Sequence, residues 1–184
     1  PGVRRPRPAK LAASARAKAR RFGKSQHLVC GLYSGGTLCQ DAAIILNGDG
    51  AKHSVVDLGD DEFTVGRPHP MIDFRLRNER IIAAAKDPAT AVILLDVVLG
   101  YGAHPDPSGA LAPAIAAAQK IASKARRGLV IVASVCGTGA DPQNFASQEK
   151  GLTDAGVMLA TSNAQAARLA AALVGAGPRA RARS

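Results

Sequence analysis

The stretch that most constrains this chain is residues 91–98, seven apolar residues interrupted by one carboxylate, Asp96. A strand with one wet face alternates apolar and polar residues. This one does not, so both its faces must be covered, as in a central parallel strand. Parallel neighbours cannot be joined by a tight turn; each connection is a crossover, usually a helix. The sequence must therefore supply strands and helices in alternation. Asp96, near the carboxyl end of the strand, must find a partner or reach the rim, because a lone buried carboxylate is costly.

The alternation is present. Apolar runs at 27–32, 54–57, 129–134 and 156–160 read as further strands. A helical pattern places Leu38, Ala42 and Ile45 on one face, and Asn47-Gly48, which tolerate the left-handed conformation, end it. Residues 58–62 read as an acidic turn and 63–65 as a small edge strand. Asp73 is placed to cap a helix through Lys86, which Asp87-Pro88 ends. Pro107 and Ser108 open a helix through Ala122. Later helices span 144–154 and, from a cap at Ser162 or Asn163, run to Val174. Five strands in alternation with helices predict an α/β fold: a flavodoxin-like, doubly wound parallel sheet in the order 2-1-3-4-5. Such sheets bind ligands at the switch point, here between the first and third strands, outside their carboxyl ends.

The formal net charge of +10 lies in the tails. Residues 1–26 hold nine Lys/Arg and no acid, and residues 178–184 hold three Arg and no acid. Residues 27–177 hold twelve basic and fourteen acidic residues, a net of −2. A nucleic-acid domain would carry its charge on a folded face, so nucleic acid is not the expected partner. The expected organisation is one domain over 27–177, a disordered basic linker or remnant of a preceding domain over 1–26, and a basic tail over 178–184. Residues 9–21 could form a helix, but with no apolar stripe to bury. Gly23-Lys24-Ser25 lacks the earlier glycine of a phosphate-binding P-loop and precedes its strand; it is not one. No apolar run approaches the roughly 18 residues of a membrane span. Three scattered cysteines and four scattered histidines have no metal-ligand spacing, so no metal is expected; the thiols read as reduced and the protein as cytoplasmic.

Three glycine-rich loops follow strands one, three and four: Ser34-Gly35-Gly36-Thr37, residues 100–106 and residues 136–143. The first turns a strand into a helix, and such a turn aims free N–H groups and the positive end of a helix dipole at one spot. It reads as a phosphate or carboxylate cradle, or else as a plain capped helix start. Gly102, Gly137 and Thr138 are the loop residues expected to join Ser34, Gly35, Gly36 and Thr37 around an anion. His104 is an acid/base candidate, or a capping histidine held by the Pro105-Asp106-Pro107 turn, with Asp106 orienting it or capping the next helix. Cys136 is the better nucleophile candidate; Cys39 has a dipole-favoured thiolate or is a small buried residue. Arg67 and His69, on a proline-fixed loop, form a second possible anion site, or a solvated surface loop. Gly137-Thr138-Gly139 is not a dinucleotide fingerprint, since Pro142 stands where the third glycine belongs.

Residues 33–39, 60–73, 94–107 and 133–138 together resemble the FdrA family, a branch of the succinyl-CoA synthetase alpha-subunit superfamily of NDP-forming acyl-CoA synthetases. The resemblance covers about residues 28–175. It implies a flavodoxin-like ligase domain downstream of a CoA-binding domain, with the helix that 34–38 opens holding a phosphate at its N-terminus. It also implies that no cofactor is tightly bound here, and that CoA or a nucleotide is met through a partner domain or subunit. A phosphate-containing small molecule, other subunits and a second copy of the chain are the expected partners. The superfamily's phosphorylated histidine lies in a Gly-His-Ala-Gly motif after strand four, and residues 136–143 contain no histidine. Two further readings follow: a carbamoyltransferase subunit acting on carbamoyl phosphate and oxamate, and a non-catalytic assembly module.

Overall fold

A computed structural model describes residues 8–48 and 52–175. The chain runs α1 (Pro8–Ala19), β1 (Leu28–Tyr33), α2 (Gly36–Asn47), β2 (Ser54–Asp57), α3 (Asp61–Thr64), α4 (Arg75–Lys86), β3 (Thr90–Val98), α5 (Pro107–Lys124), β4 (Val130–Cys136), α6 (Phe145–Asp154), β5 (Met158–Ala160) and α7 (Asn163–Gly175). The five strands are parallel, in the order β2-β1-β3-β4-β5. This is the doubly wound α/β sheet expected from the alternation.

β3 is central, and its side chains divide between two cores as a strand's period of two requires. Val92 and Leu94 join Cys39, Ala42 and Leu46 of α2 and Ala166, Ala167, Ala170 and Leu173 of α7. Ile93, Leu95 and Val97 face the other way, onto Ile81 and Ala84 of α4, Leu111 and Ile115 of α5 and Leu152 of α6.

Four local expectations change. Phe74, not Asp73, holds the cap position of α4, and the Asp73 carboxylate accepts from the Arg75 amide instead. Residues 8–26 are not a bare linker: α1 packs against α7, and Ala15, Ala19 and Phe22 are buried in the first core. Alanine supplies the stripe that a search for large apolar residues overlooks. The edge strand expected at 63–65 does not form; residues 61–64 are helical, because the Asp60 side chain accepts from the Glu62 amide and acids in the first turn suit the dipole. α2 does end at Asn47-Gly48, but Gly48 is right-handed, at φ −57°. Residues 1–7 and the tail over 178–184 lie outside the described residues.

Register places the carboxyl ends of the strands side by side. Tyr33 pairs with Asp57, Leu32 with Leu95, and Asp96 with Ser134. A polar row therefore crosses the sheet where the chain leaves it for the loops.

Candidate functional site

Asp96 is fully buried in that row. The Ser34 and Gly35 amides each donate to its carboxylate at 2.9 Å, and the Ser34 hydroxyl donates at 3.1 Å. Arg77 of α4, also fully buried, pairs with it and donates to the Leu32 carbonyl at 2.8 Å. One carboxylate thus ties the β1–α2 turn to β3 and to the helix layer. The turn's first two amides are occupied by the protein itself.

The first backbone bond of α2 runs from the Cys39 amide to Gly35. The amides of Gly36, Thr37 and Leu38 have no acceptor among the described residues, as the first turn of a helix dictates. Neither Ser34 nor Thr37 caps the helix; the cap position is Gly35, and no side chain bonds there. The plain capped start is therefore not what forms, and three amides at the positive end of the dipole point outward.

What surrounds those amides comes from the loop after β2. The Asp57 carboxylate accepts from the Gly59 amide at 2.8 Å, and its other oxygen overhangs Gly36, where an added Cβ would lie 2.7 Å from it. A Cβ at Gly59 would lie 2.7 Å from Nε2 of His69 and 2.8 Å from the Ser34 carbonyl. Glycine at both positions is thus a matter of close approach. His69, read from the sequence as part of a separate anion loop, stands beside the cradle. Its Nδ1 accepts from the Met71 amide at 3.2 Å, so the neutral ring carries its proton on Nε2. Arg67 is exposed and lines a cleft with Asp73, Arg75 and Glu79 instead.

The loops after β3 and β4 fasten to each other. Gln143 donates to the carbonyls of Gly100 and His104 and accepts from the Gly100 amide. Gly137 packs against Leu99, and the Thr138 amide donates to Asp141 at 2.6 Å. Gly102 faces open space and Cys136 is exposed at the end of β4. β3 lies between β1 and β4, so Cys136 stands two strand spacings, about 10 Å, from the cradle's strand. His104 is half-buried, edge-on to the Phe74 ring at 5.3 Å, with its backbone amide on the Met71 carbonyl and its Nδ1 accepting from the Asp106 amide. Asp106 caps α5 through the Gly109 amide and accepts from Ser108 and Gln148; those bonds hold its carboxyl below the usual carboxylate range. Burial, then the charges of Asp57 and Asp96, push the Cys39 thiol up to about 11, so the dipole does not create a thiolate there.

The sequence reading missed Arg77, the partner Asp96 required. The signal was present: Arg77, Ile81 and Ala84 lie at i, i+4 and i+7, so Arg77 continues the inward stripe of α4. Among the described residues no group of three His, Cys, Asp or Glu is arranged to hold a metal, and no helix is long and apolar enough to cross a membrane.

A parallel sheet in this order, with a glycine turn tied to its central strand, defines a class. The family described as CoA-ligase matches residues 32–173, and the chain belongs to that family. Escherichia coli (strain K12) YahF, an uncharacterized protein, is 40% identical over 171 residues, covering 82% of this chain and 33% of YahF. The chain thus spans about a third of the length of that relative. Among solved structures, a dinucleotide-forming acetyl-coenzyme A synthetase 1 from Ca. Korarchaeum cryptofilum, in complex with phosphate and ADP, has a TM-score of 0.59 at 16% identity, covering 93% of this chain and 38% of that one. PH0766 from Pyrococcus horikoshii OT3 has a TM-score of 0.55 at 17% identity, covering 90% and 39%. At those identities the likeness is one of fold.

Proposed function

We propose that the chain is the phosphate-holding ligase module of an FdrA-type acyl-CoA synthetase, which takes phosphate or an acyl phosphate at the first turn of α2. The observation that carries this is the set of three unpartnered amides, Gly36, Thr37 and Leu38, on a turn pinned by Asp96 and Arg77 at the switch point of the sheet. His69 adds an Nε2–H donor beside them. CoA or a nucleotide would arrive from another domain or subunit, which accords with a relative about three times as long. The same turn would then work within a larger assembly.

A second reading is favoured by the histidines. Residues 136–143 have none. His69 and His104 both accept a backbone N–H at Nδ1, so both neutral rings present Nε2–H and neither offers a free lone pair to a phosphoryl group. Acyl or carbamoyl transfer needs an anion cradle and a donor that polarises a carbonyl, not a phosphorylated protein histidine. Carbamoyl transfer to oxamate therefore suits these residues as a variant of the same site.

The test is phosphate release by the full chain from acetyl phosphate with CoA, and from carbamoyl phosphate with oxamate. Release that depends on CoA supports the synthetase reading, and release that depends on oxamate supports the transferase. Background hydrolysis alone in both would overturn catalysis by this chain on its own and leave an assembly module. Labelled phosphate retained on His69 or His104 would contradict the tautomer argument.

A further inference from the structure

A second concave site lies at the amino ends of the strands, the opposite edge from the α2 cradle. It measures about 310 Å³ and is lined by Lys18, Arg21 and Arg127, with Gln119, Ser123 and the start of β4 between them. No carboxylate lines it. None of the three cations forms an ion pair among the described residues. Asp87, which shares Thr90 with Arg127, has its oxygens on the Ala89 amide and the Thr90 hydroxyl.

The walls are held in place. Arg127 donates to the carbonyls of Thr90 and Ala85. The Gly128 amide donates to the Arg21 carbonyl, and Gln26 donates to the Gly128 carbonyl at 2.7 Å. A Cβ at Gly128 would lie 3.0 Å from both the Arg21 carbonyl oxygen and the Phe22 ring, so the end of α1 is seated closely on the start of β4. Cations at helix C-termini offset the dipole, and Arg127 is used that way. Lys18, in the last turn of α1, and Arg21, just beyond it, are both exposed, and their side chains reach no acceptor among the described residues. Seating α1 here brings two unspent cations up to a fixed third.

We propose that this cleft is an anion site independent of the α2 cradle, taking a small molecule that carries a diphosphate. One phosphoryl group carries about 1.5 to 2 negative charges, so three cations leave room for a second. Arg presents a planar donor fork suited to phosphate oxygens, and the Gln119 amide and Ser123 hydroxyl add polar groups beside it.

The full chain is titrated calorimetrically with inorganic pyrophosphate and, separately, with ADP, at fixed ionic strength. The wild-type chain and the Lys52→Glu/Arg80→Glu control, which carries the same charge change on exposed residues elsewhere, should bind alike. Lys18→Glu/Arg21→Glu should bind about tenfold or more weakly while keeping the far-UV circular dichroism of the folded wild-type chain. Binding of pyrophosphate assigns recognition to the diphosphate alone; binding of ADP only adds the nucleoside. Binding equal in both double variants would place the anion at the α2 cradle or elsewhere and overturn the proposal, as would binding of neither probe by the wild-type chain.

Discussion

At the scale of single residues, Asp96 and Arg77 hold the site together. Both are fully buried, and the carboxylate also accepts from two amides and a hydroxyl. Removing one partner of a buried pair strands the other charge. Arg77→Met should therefore lower unfolding stability by about 3–5 kcal/mol, read from urea denaturation, while Asp96→Asn with Arg77→Met together should cost less than Arg77→Met alone. A double variant that costs the sum of the two single replacements would mean that the pair is not coupled. Asp57 works in the opposite sense. Its free oxygen overhangs Gly36 and would repel an incoming phosphate. Asp57→Asn keeps the oxygen that accepts from Gly59 and should tighten phosphate binding about fivefold, the ~1 kcal/mol that two unit charges 4 Å apart exchange in water. The thiols give a pH prediction. Burial raises Cys30 and Cys39 to about 11 each. Both stay protonated in the fold, so their contribution is complete below the ordinary thiol pKa of about 8.5 and is lost as pH rises to about 11. The urea midpoint should hold from pH 7 to 8 and fall above about pH 9. At pH 8, iodoacetamide should label exposed Cys136 and spare Cys30 and Cys39 until the chain unfolds.

At the scale of elements, α1 shows what sequence could and could not convey. The strands and the long helices were legible because burial imposes a period, and β3 declared itself by having no wet face. α1 was legible as a helix but not as a packed one, because Ala15 and Ala19 offer little apolar signal and Phe22 lies beyond its last turn. The cradle was legible in Ser34-Gly35-Gly36-Thr37. Its neighbours were not, since nothing local says that the loop after β2 folds against it. That outcome depends on Gly59 admitting His69. Phe22→Ala should cost about 3–5 kcal/mol, and a chain beginning at residue 27 should melt well below the full chain. An unchanged melting temperature would return α1 to the status of a linker.

At the scale of the whole molecule, the doubly wound sheet has two chemically different edges. The carboxyl edge carries the α2 turn, Asp57 and His69; the amino edge carries Lys18, Arg21 and Arg127. The chain belongs to the CoA-ligase family and spans about a third of the length of its relative YahF. On the proposed reading, the chain holds phosphate on the three free amides of α2. The direct measurement is an amide-resolved NMR titration of the full chain with inorganic phosphate. The Gly36, Thr37 and Leu38 resonances should shift together and saturate, while the Ser34 and Gly35 amides, already held by Asp96, should move far less. Saturable shifts elsewhere with none at Gly36, Thr37 and Leu38 would contradict the claim.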